Sequence, residues 1–273
     1  WGSWDADFNA VTARLRSSLL GIVHGADSHV VVPLQGSGTF SVEAAVATVV
    51  PPSGHILVLD NGAYCKRAAK LSTMMGRKTT VVPTPEDQAV SPTQLEALLN
   101  KDPSITHVVL IHCETGAGVM NPLHAVSQVC EKYNKGLIVD AMSSFGGIPI
   151  DMGRLGIEFL ISSANKCIQG VPGFGFVIAR RAALMACAGR ARSVSLDLHA
   201  QWQTMEQQGG KWRFTSPTQT VLAFAQALRA TASTDTPMSA ARSRSARTAR
   251  EFRTEHPASD PTCPVEEAHL PKR

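Results

Sequence analysis

Among the 273 residues of this chain, the types and spacing best suited to chemistry are those of Gly36-Ser37-Gly38-Thr39, Asp140 and Lys166. The first run follows an apolar stretch, Val30 to Leu34, and opens a segment of helical period at Ser41-Val42-Glu43-Ala44-Ala45. Free backbone N–H groups at a helix N-terminus, with the hydroxyls of Ser37 and Thr39, make a cradle for a phosphate. The same run also reads as a glycine turn with Thr39 or Ser41 capping the helix. It has neither the lysine of a P-loop nor the spacing of the G-x-G-x-x-G dinucleotide fingerprint.

Asp140 ends the apolar run Leu137-Ile138-Val139 and precedes the small or flexible Ala141-Met142-Ser143-Ser144. A carboxylate at the carboxyl end of a parallel strand faces the crevice where open α/β sheets bind ligands; a turn-capping Asp is the plainer reading. Lys166 follows another apolar run, in Ser162-Ser163-Ala164-Asn165-Lys166-Cys167. Most lysines are solvated surface charges. A lysine kept dry in a cleft, or set near other cations, instead supplies the neutral amine that a Schiff base needs.

A phosphate cradle, an acid to keep a pyridine nitrogen protonated and a lysine to capture an aldehyde are together the requirements of pyridoxal 5′-phosphate. Tyr64, in Asn61-Gly62-Ala63-Tyr64-Cys65, offers an aromatic face for its ring, or is simply a tyrosine at a helix start. A metal on His112, Cys113 and Glu114 is excluded, because consecutive strand residues point to opposite faces.

Seven apolar runs can position these groups: Val30 to Leu34, Ile56 to Asp60, Thr79 to Val82, His107 to His112, Leu137 to Asp140, Phe159 to Ser162 and Phe174 to Ala179. They alternate with helical segments over 41–50, 65–75, 91–100, 123–132 and 181–188, and a last helix over 218–229. The first five runs are rich in Val, Ile and Leu with little alternation, as in a mostly parallel sheet covered by helices on both faces. Residues 195–217 read as a mixed polar segment holding two tryptophans. Residues 229–273 carry only Met238, Phe252, Val265 and Leu270 as large apolar side chains, and are expected to be a disordered basic tail.

Composition sets the outer bounds. With 44% hydrophobic and 18% charged residues the chain reads as soluble and globular, and no apolar run approaches the roughly 20 residues that span a bilayer. A formal charge of +4 is too small to argue for nucleic-acid binding. The cysteines at 65, 113, 130, 167, 187 and 263 stand singly, which suits a reducing cytoplasmic setting better than a disulfide framework or a zinc site. Trp1-Gly2-Ser3-Trp4-Asp5 has no secretory pattern and looks cut from something longer.

Six stretches, in order, carry a family resemblance. They are Gly36-Ser37-Gly38-Thr39-Phe40, Asn61-Gly62-Ala63-Tyr64-Cys65, Ile111-His112-Cys113-Glu114-Thr115, Val139 to Gly146, Ser163-Ala164-Asn165-Lys166-Cys167 with Gly170 to Phe176, and Lys211 to Thr218. From Trp1 to about Leu228 the chain resembles the class V branch of the fold-type I pyridoxal-phosphate aminotransferases, and within it the members that act on 2-aminoethylphosphonate and pyruvate. The resemblance implies a fold-type I large domain over 1–228 and a homodimer. It implies that Lys166 forms the Schiff base and moves the proton between Cα of the substrate and C4′ of the cofactor, and that Asp140 pairs with the pyridinium nitrogen. Ser37, Gly38 and Thr39 would hold the phosphate, assisted by Asn165. Tyr64 would stack on the ring and Thr115 would contact its 3-hydroxyl region. Thr215, with Arg213 nearby, would complete the phosphate site of the dimer partner. The implied reaction turns 2-aminoethylphosphonate and pyruvate into phosphonoacetaldehyde and alanine.

The same resemblance implies that two parts of such enzymes are absent from this chain. One is an N-terminal Thr-Pro-Gly-Pro segment; the other is a C-terminal α+β domain whose arginine clamps the substrate's anionic group. Two alternatives follow: a chain that binds the cofactor without turnover, or a related class V activity such as serine:glyoxylate transamination. A cysteine desulfurase is less well matched, since Cys113, Cys167 and Cys187 sit in or beside expected elements rather than on a mobile loop.

Overall fold

Every one of the seven apolar runs forms a strand of a single sheet in the computed structural model, which describes residues 1–233. In chain order the elements are α1 (Ala6–Ile22), β1 (His29–Gly36), α2 (Gly38–Val49), β2 (His55–Asp60), α3 (Ala63–Met74), β3 (Lys78–Pro83), α4 (Pro92–Lys101) and β4 (His107–Ile111). There follow β5 (Cys113–Glu114), β6 (Val119–Met120), α5 (Leu123–Lys132), β7 (Gly136–Asp140), β8 (Phe159–Ser163), β9 (Gly173–Arg180), α6 (Arg181–Met185), α7 (Leu198–Gln207) and α8 (Thr218–Ser233). Of the tail expected over 229–273, residues 229–233 belong instead to α8, and the remainder, with Arg242, Arg244, Arg247, Arg250 and Arg253, lies outside the described residues.

The sheet order is β1-β9-β8-β7-β4-β2-β3. The strands β8, β7, β4, β2 and β3 run parallel, whereas β9 is antiparallel to both β8 and β1. Pro33, which cannot donate to a ladder, lies on the edge strand β1. The unbroken apolar character of the central strands has a direct cause. Along β4, Val108 and Leu110 enter one buried cluster and Val109 and Ile111 the other, so both faces need apolar side chains. The first cluster is closed by Phe8, Leu15 and Leu19 of α1 and by Val221 and Phe224 of α8. The second is closed by Val42, Val46 and Val49 of α2, by Cys65 and Ala68 of α3, and by Leu198 of α7.

Several boundaries differ from the sequence reading. Helix α2 starts at Gly38 rather than Ser41, because Ser37 rather than Thr39 or Ser41 holds the N-cap position. Helix α8 continues past Arg229 to Ser233. Two helices were not expected. In α1 the apolar residues Phe8, Val11, Leu15 and Leu19 recur at helical spacing. In α7, within the segment read as mixed and polar, Asp197 caps the start by accepting from the Ala200 N–H at 2.9 Å. Gln201 then spends its polar head on the Pro33 carbonyl at 3.1 Å. Farther along, Phe174 meets Trp212 and Phe224 edge-on at centroid distances of 6.1 and 5.2 Å, which ties the Lys211 to Thr218 segment to the sheet.

Candidate active site

The carboxyl ends of β4, β7 and β8 and the N-termini of α2 and α3 meet at one cavity of about 210 Å³. Ser37, Gly38, Thr39, Tyr64, Thr115, Asp140, Asn165 and Lys166 all line it. That volume is below the range usual for drug-sized ligands and suits one substituted ring far better than a dinucleotide. Thr215, expected to serve a partner's site, is exposed and does not line the cavity.

The turn expected to cradle a phosphate arises locally. Ser37 occupies the N-cap of α2 in an extended conformation, yet its side chain makes no capping hydrogen bond, so the hydroxyl stays free for a ligand. The first-turn N–H groups of a helix have no intrahelical partners and carry its positive end. Gly36 ends β1 at φ +116°, a left-handed conformation that glycine adopts without strain, and this turn brings Ser37 onto the cavity.

Asp140 is 7% exposed, and its Oδ1 accepts the Met142 N–H at 2.9 Å. Burial pushes its carboxyl up to about 6, and the Glu114 charge adds to this; the Met142 N–H and the charges of Lys166 and Arg67 oppose it. A carboxyl so placed holds a proton more tightly than an exposed Asp does. Lys166 sits in the turn after β8 and is exposed, which corrects the expectation of a dry lysine. It reaches the cavity from its solvent side while Asp140 forms the buried floor. Asn165, its neighbour, is also exposed, and its Oδ1 accepts the Ser163 hydroxyl at 3.0 Å. Thr115 Oγ1 and Ser143 Oγ lie 2.6 Å apart, joining the loop after β5 to the loop after β7.

Further residues around the cavity escaped the sequence reading. Arg67 lines the cavity with its guanidinium 4.9 Å from the centre of the Tyr64 ring; its place one helical turn beyond Tyr64 was the available signal. Ser143 and Met142 line the cavity within a stretch quoted only for its smallness. Glu114, weighed only as a metal ligand, is fully buried behind Tyr64, and its Oε2 accepts the Tyr64 N–H at 3.2 Å. His112 is buried with Nδ1 2.9 Å from Ser144 Oγ, and burial lowers its imidazole to about 4. Burial also raises the thiols of Cys113, Cys167 and Cys187, the opposite of what a cysteine nucleophile requires.

The fold defined by this sheet is that of the fold-type I aminotransferases. A solved pyridoxamine-pyruvate aminotransferase from Mesorhizobium loti superposes on 93% of this chain and 64% of its own, with a TM-score of 0.83 at 23% identity. An alanine–glyoxylate aminotransferase from Nostoc sp. gives 0.79 at 23% identity, over 84% of this chain and 61% of its own. The chain belongs to the class V aminotransferases, whose family model matches residues 3–254, farther than the Leu228 limit of the sequence reading. It is 60% identical over 228 residues to a 2-aminoethylphosphonate–pyruvate transaminase of Polaromonas sp., covering 84% of this chain. It is 57% identical over 231 residues to the corresponding protein of Aeromonas hydrophila, covering 83% of this chain. In both cases the chain spans 61% of the relative's length.

Pyridoxal 5′-phosphate, the cofactor of this family, fits the cavity. The α2 N-terminus with the free Ser37 hydroxyl suits its phosphate, the buried Asp140 its ring nitrogen, and Tyr64 its ring face. Among the described residues no helix is long and apolar enough to cross a membrane.

Proposed function

We propose that the protein is a pyridoxal-phosphate-dependent transaminase that moves the amino group of 2-aminoethylphosphonate to pyruvate, giving phosphonoacetaldehyde and alanine. The observation that carries this reading is the convergence of Lys166, Asp140 and the Ser37–Thr39 turn on one cavity in a chain 60% identical to a transaminase of that name.

When bound, the cofactor supplies an aldehyde and a ring able to take up the electron pair left by a broken C–H bond. Lys166 would hold that aldehyde, and its Nζ would take the proton from the amine-bearing carbon and return it on the cofactor's side. Asp140 keeps the ring nitrogen protonated from the buried floor, so that electron uptake there is favourable. Ser37, Gly38 and Thr39 anchor the phosphate, with Asn165 assisting. Tyr64 packs against the ring, and Thr115, held by Ser143, orients its 3-hydroxyl side. Residues 1–228 form the cofactor-binding domain. A second copy of the chain completes the site in a homodimer, with Thr215 the residue given across the interface, in a cytoplasmic setting that suits the free cysteines.

Purified protein supplied with the cofactor, 2-aminoethylphosphonate and pyruvate is expected to form alanine and phosphonoacetaldehyde. Faster turnover with serine and glyoxylate would replace the substrate assignment, and bound cofactor without alanine from any donor would leave a binding protein in place of the enzyme.

A further inference from the structure

Glu114 is a carboxylate with no measurable exposure, set one residue from the cavity wall, and among the described residues it has no ion-pair partner within 4 Å. A buried charge is costly unless its oxygens are satisfied. Here neutral donors do this. Oε2 accepts the Tyr64 N–H at 3.2 Å and lies 3.7 Å from the Cys65 thiol, and Oε1 accepts the Gly116 N–H at 3.4 Å. Tyr64 and Cys65 lie in the first turn of α3, whose N-cap residue, Gly62, has no side chain to accept from them. Glu114 therefore caps α3 from a strand 50 residues downstream. The chain makes room for it, since a β-carbon on Gly62 would stand 2.4 Å from Glu114 Cγ.

Two consequences reach the cavity. The backbone of Tyr64, which carries one wall, is tied to the loop after β4, which pairs in turn with β7 up to Asp140. The Glu114 charge also acts on Asp140 against those of Lys166 and Arg67, and helps to raise it. We propose that Glu114 is a positioning residue of the cofactor site: it caps α3 across the fold and so fixes the Tyr64 wall. This rests on the pyridoxal-phosphate reading given above.

Glu114→Gln keeps the shape and an accepting oxygen but removes the charge. Gly62→Ala displaces the carboxylate but keeps the charge in the chain. Pyridoxal 5′-phosphate titration gives the dissociation constant, and carbon NMR of labelled aspartate, assigned with Asp140→Asn, gives the titration midpoint of Asp140. Glu114→Gln is expected to lower that midpoint and to weaken binding on the order of tenfold, as when a charged acceptor becomes neutral. Gly62→Ala is expected to weaken binding by loosening Tyr64, and it keeps the test open should Glu114→Gln not fold. If the unaltered chain binds the cofactor and both variants match it in affinity and in Asp140 midpoint, Glu114 is merely structural and the inference falls, even if melting temperatures drop. If the unaltered chain does not bind, the cofactor reading falls first and takes this inference with it.

Discussion

The thioether of Met142 fills the space that a β-carbon on Gly38 would need: its Sδ and Cε both stand 2.5 Å from that position. The contact joins the first turn of α2 to the loop that follows Asp140, so the Ser37–Thr39 turn and Asp140 are set against each other by one flexible side chain. Because the obstructing atoms are the far end of a methionine, they can move. Gly38→Ala should then cost only about 1 kcal/mol of stability, the lower end of overpacking penalties. The displaced methionine has the cavity to enter, so cofactor affinity should fall by roughly tenfold, or about 1.4 kcal/mol. Thermal melting beside a pyridoxal 5′-phosphate titration checks both; unchanged affinity would remove Gly38 from the cradle.

Asp140 links function to a stability cost. Its carboxyl is raised from 3.8 to about 6 by burial, so the folded chain binds this proton more tightly than the unfolded one. The stability it contributes is fully present below about pH 3.8 and is lost as pH rises through about 6. Asp140→Asn removes that loss. Without cofactor, the variant should be about 3 kcal/mol more stable than the unaltered chain at pH 8, and the advantage should vanish near pH 4. The same variant should bind pyridoxal 5′-phosphate poorly, having nothing to hold the ring nitrogen's proton. Urea denaturation at the two pH values reads the first effect, and equal stability at pH 8 would show that the carboxyl is not penalised.

Asn61 and Asn121 pair their amides reciprocally at 2.9 and 3.1 Å in the buried ground beneath Tyr64. Asn121 also accepts from the Val90 N–H at 3.0 Å and donates to the Ile111 carbonyl at 2.7 Å. Asn121→Ala strands several buried polar groups at once, and a destabilisation of about 3 kcal/mol is expected. The turn from Asn61 to Tyr64 loses its anchor, so cofactor affinity should decline too. A loss under 1 kcal/mol by denaturant titration would mean that water replaces the amide.

How far the molecule could be read from its residues depends on the distance over which each signal acts. Strands such as Val30 to Leu34 were legible because burial on both faces leaves an uninterrupted apolar run. Helices α1 and α7 were not: their apolar residues recur at helical spacing but stand among polar ones, so composition masked periodicity. That Ser37, Asp140 and Lys166 line one crevice was legible because each lies at or just beyond a strand end or helix start. Glu114 could not be found that way, since its partners lie 50 residues upstream and meet it only in the folded sheet. The short pair β5 and β6, which carries it, has two residues per strand and so too little pattern to detect. Solvation of Lys166 was misjudged for the same reason: exposure belongs to the assembled cavity rather than to flanking residues.

The central claim is that the amine of Lys166 captures pyridoxal 5′-phosphate above the carboxyl of Asp140. Borohydride reduction of the protein with bound cofactor, followed by digestion and mass spectrometry, tests it most directly. The account predicts a single reduced pyridoxyl adduct on Lys166, abolished in Lys166→Ala; an adduct on another lysine, or none in protein saturated with cofactor, would contradict it.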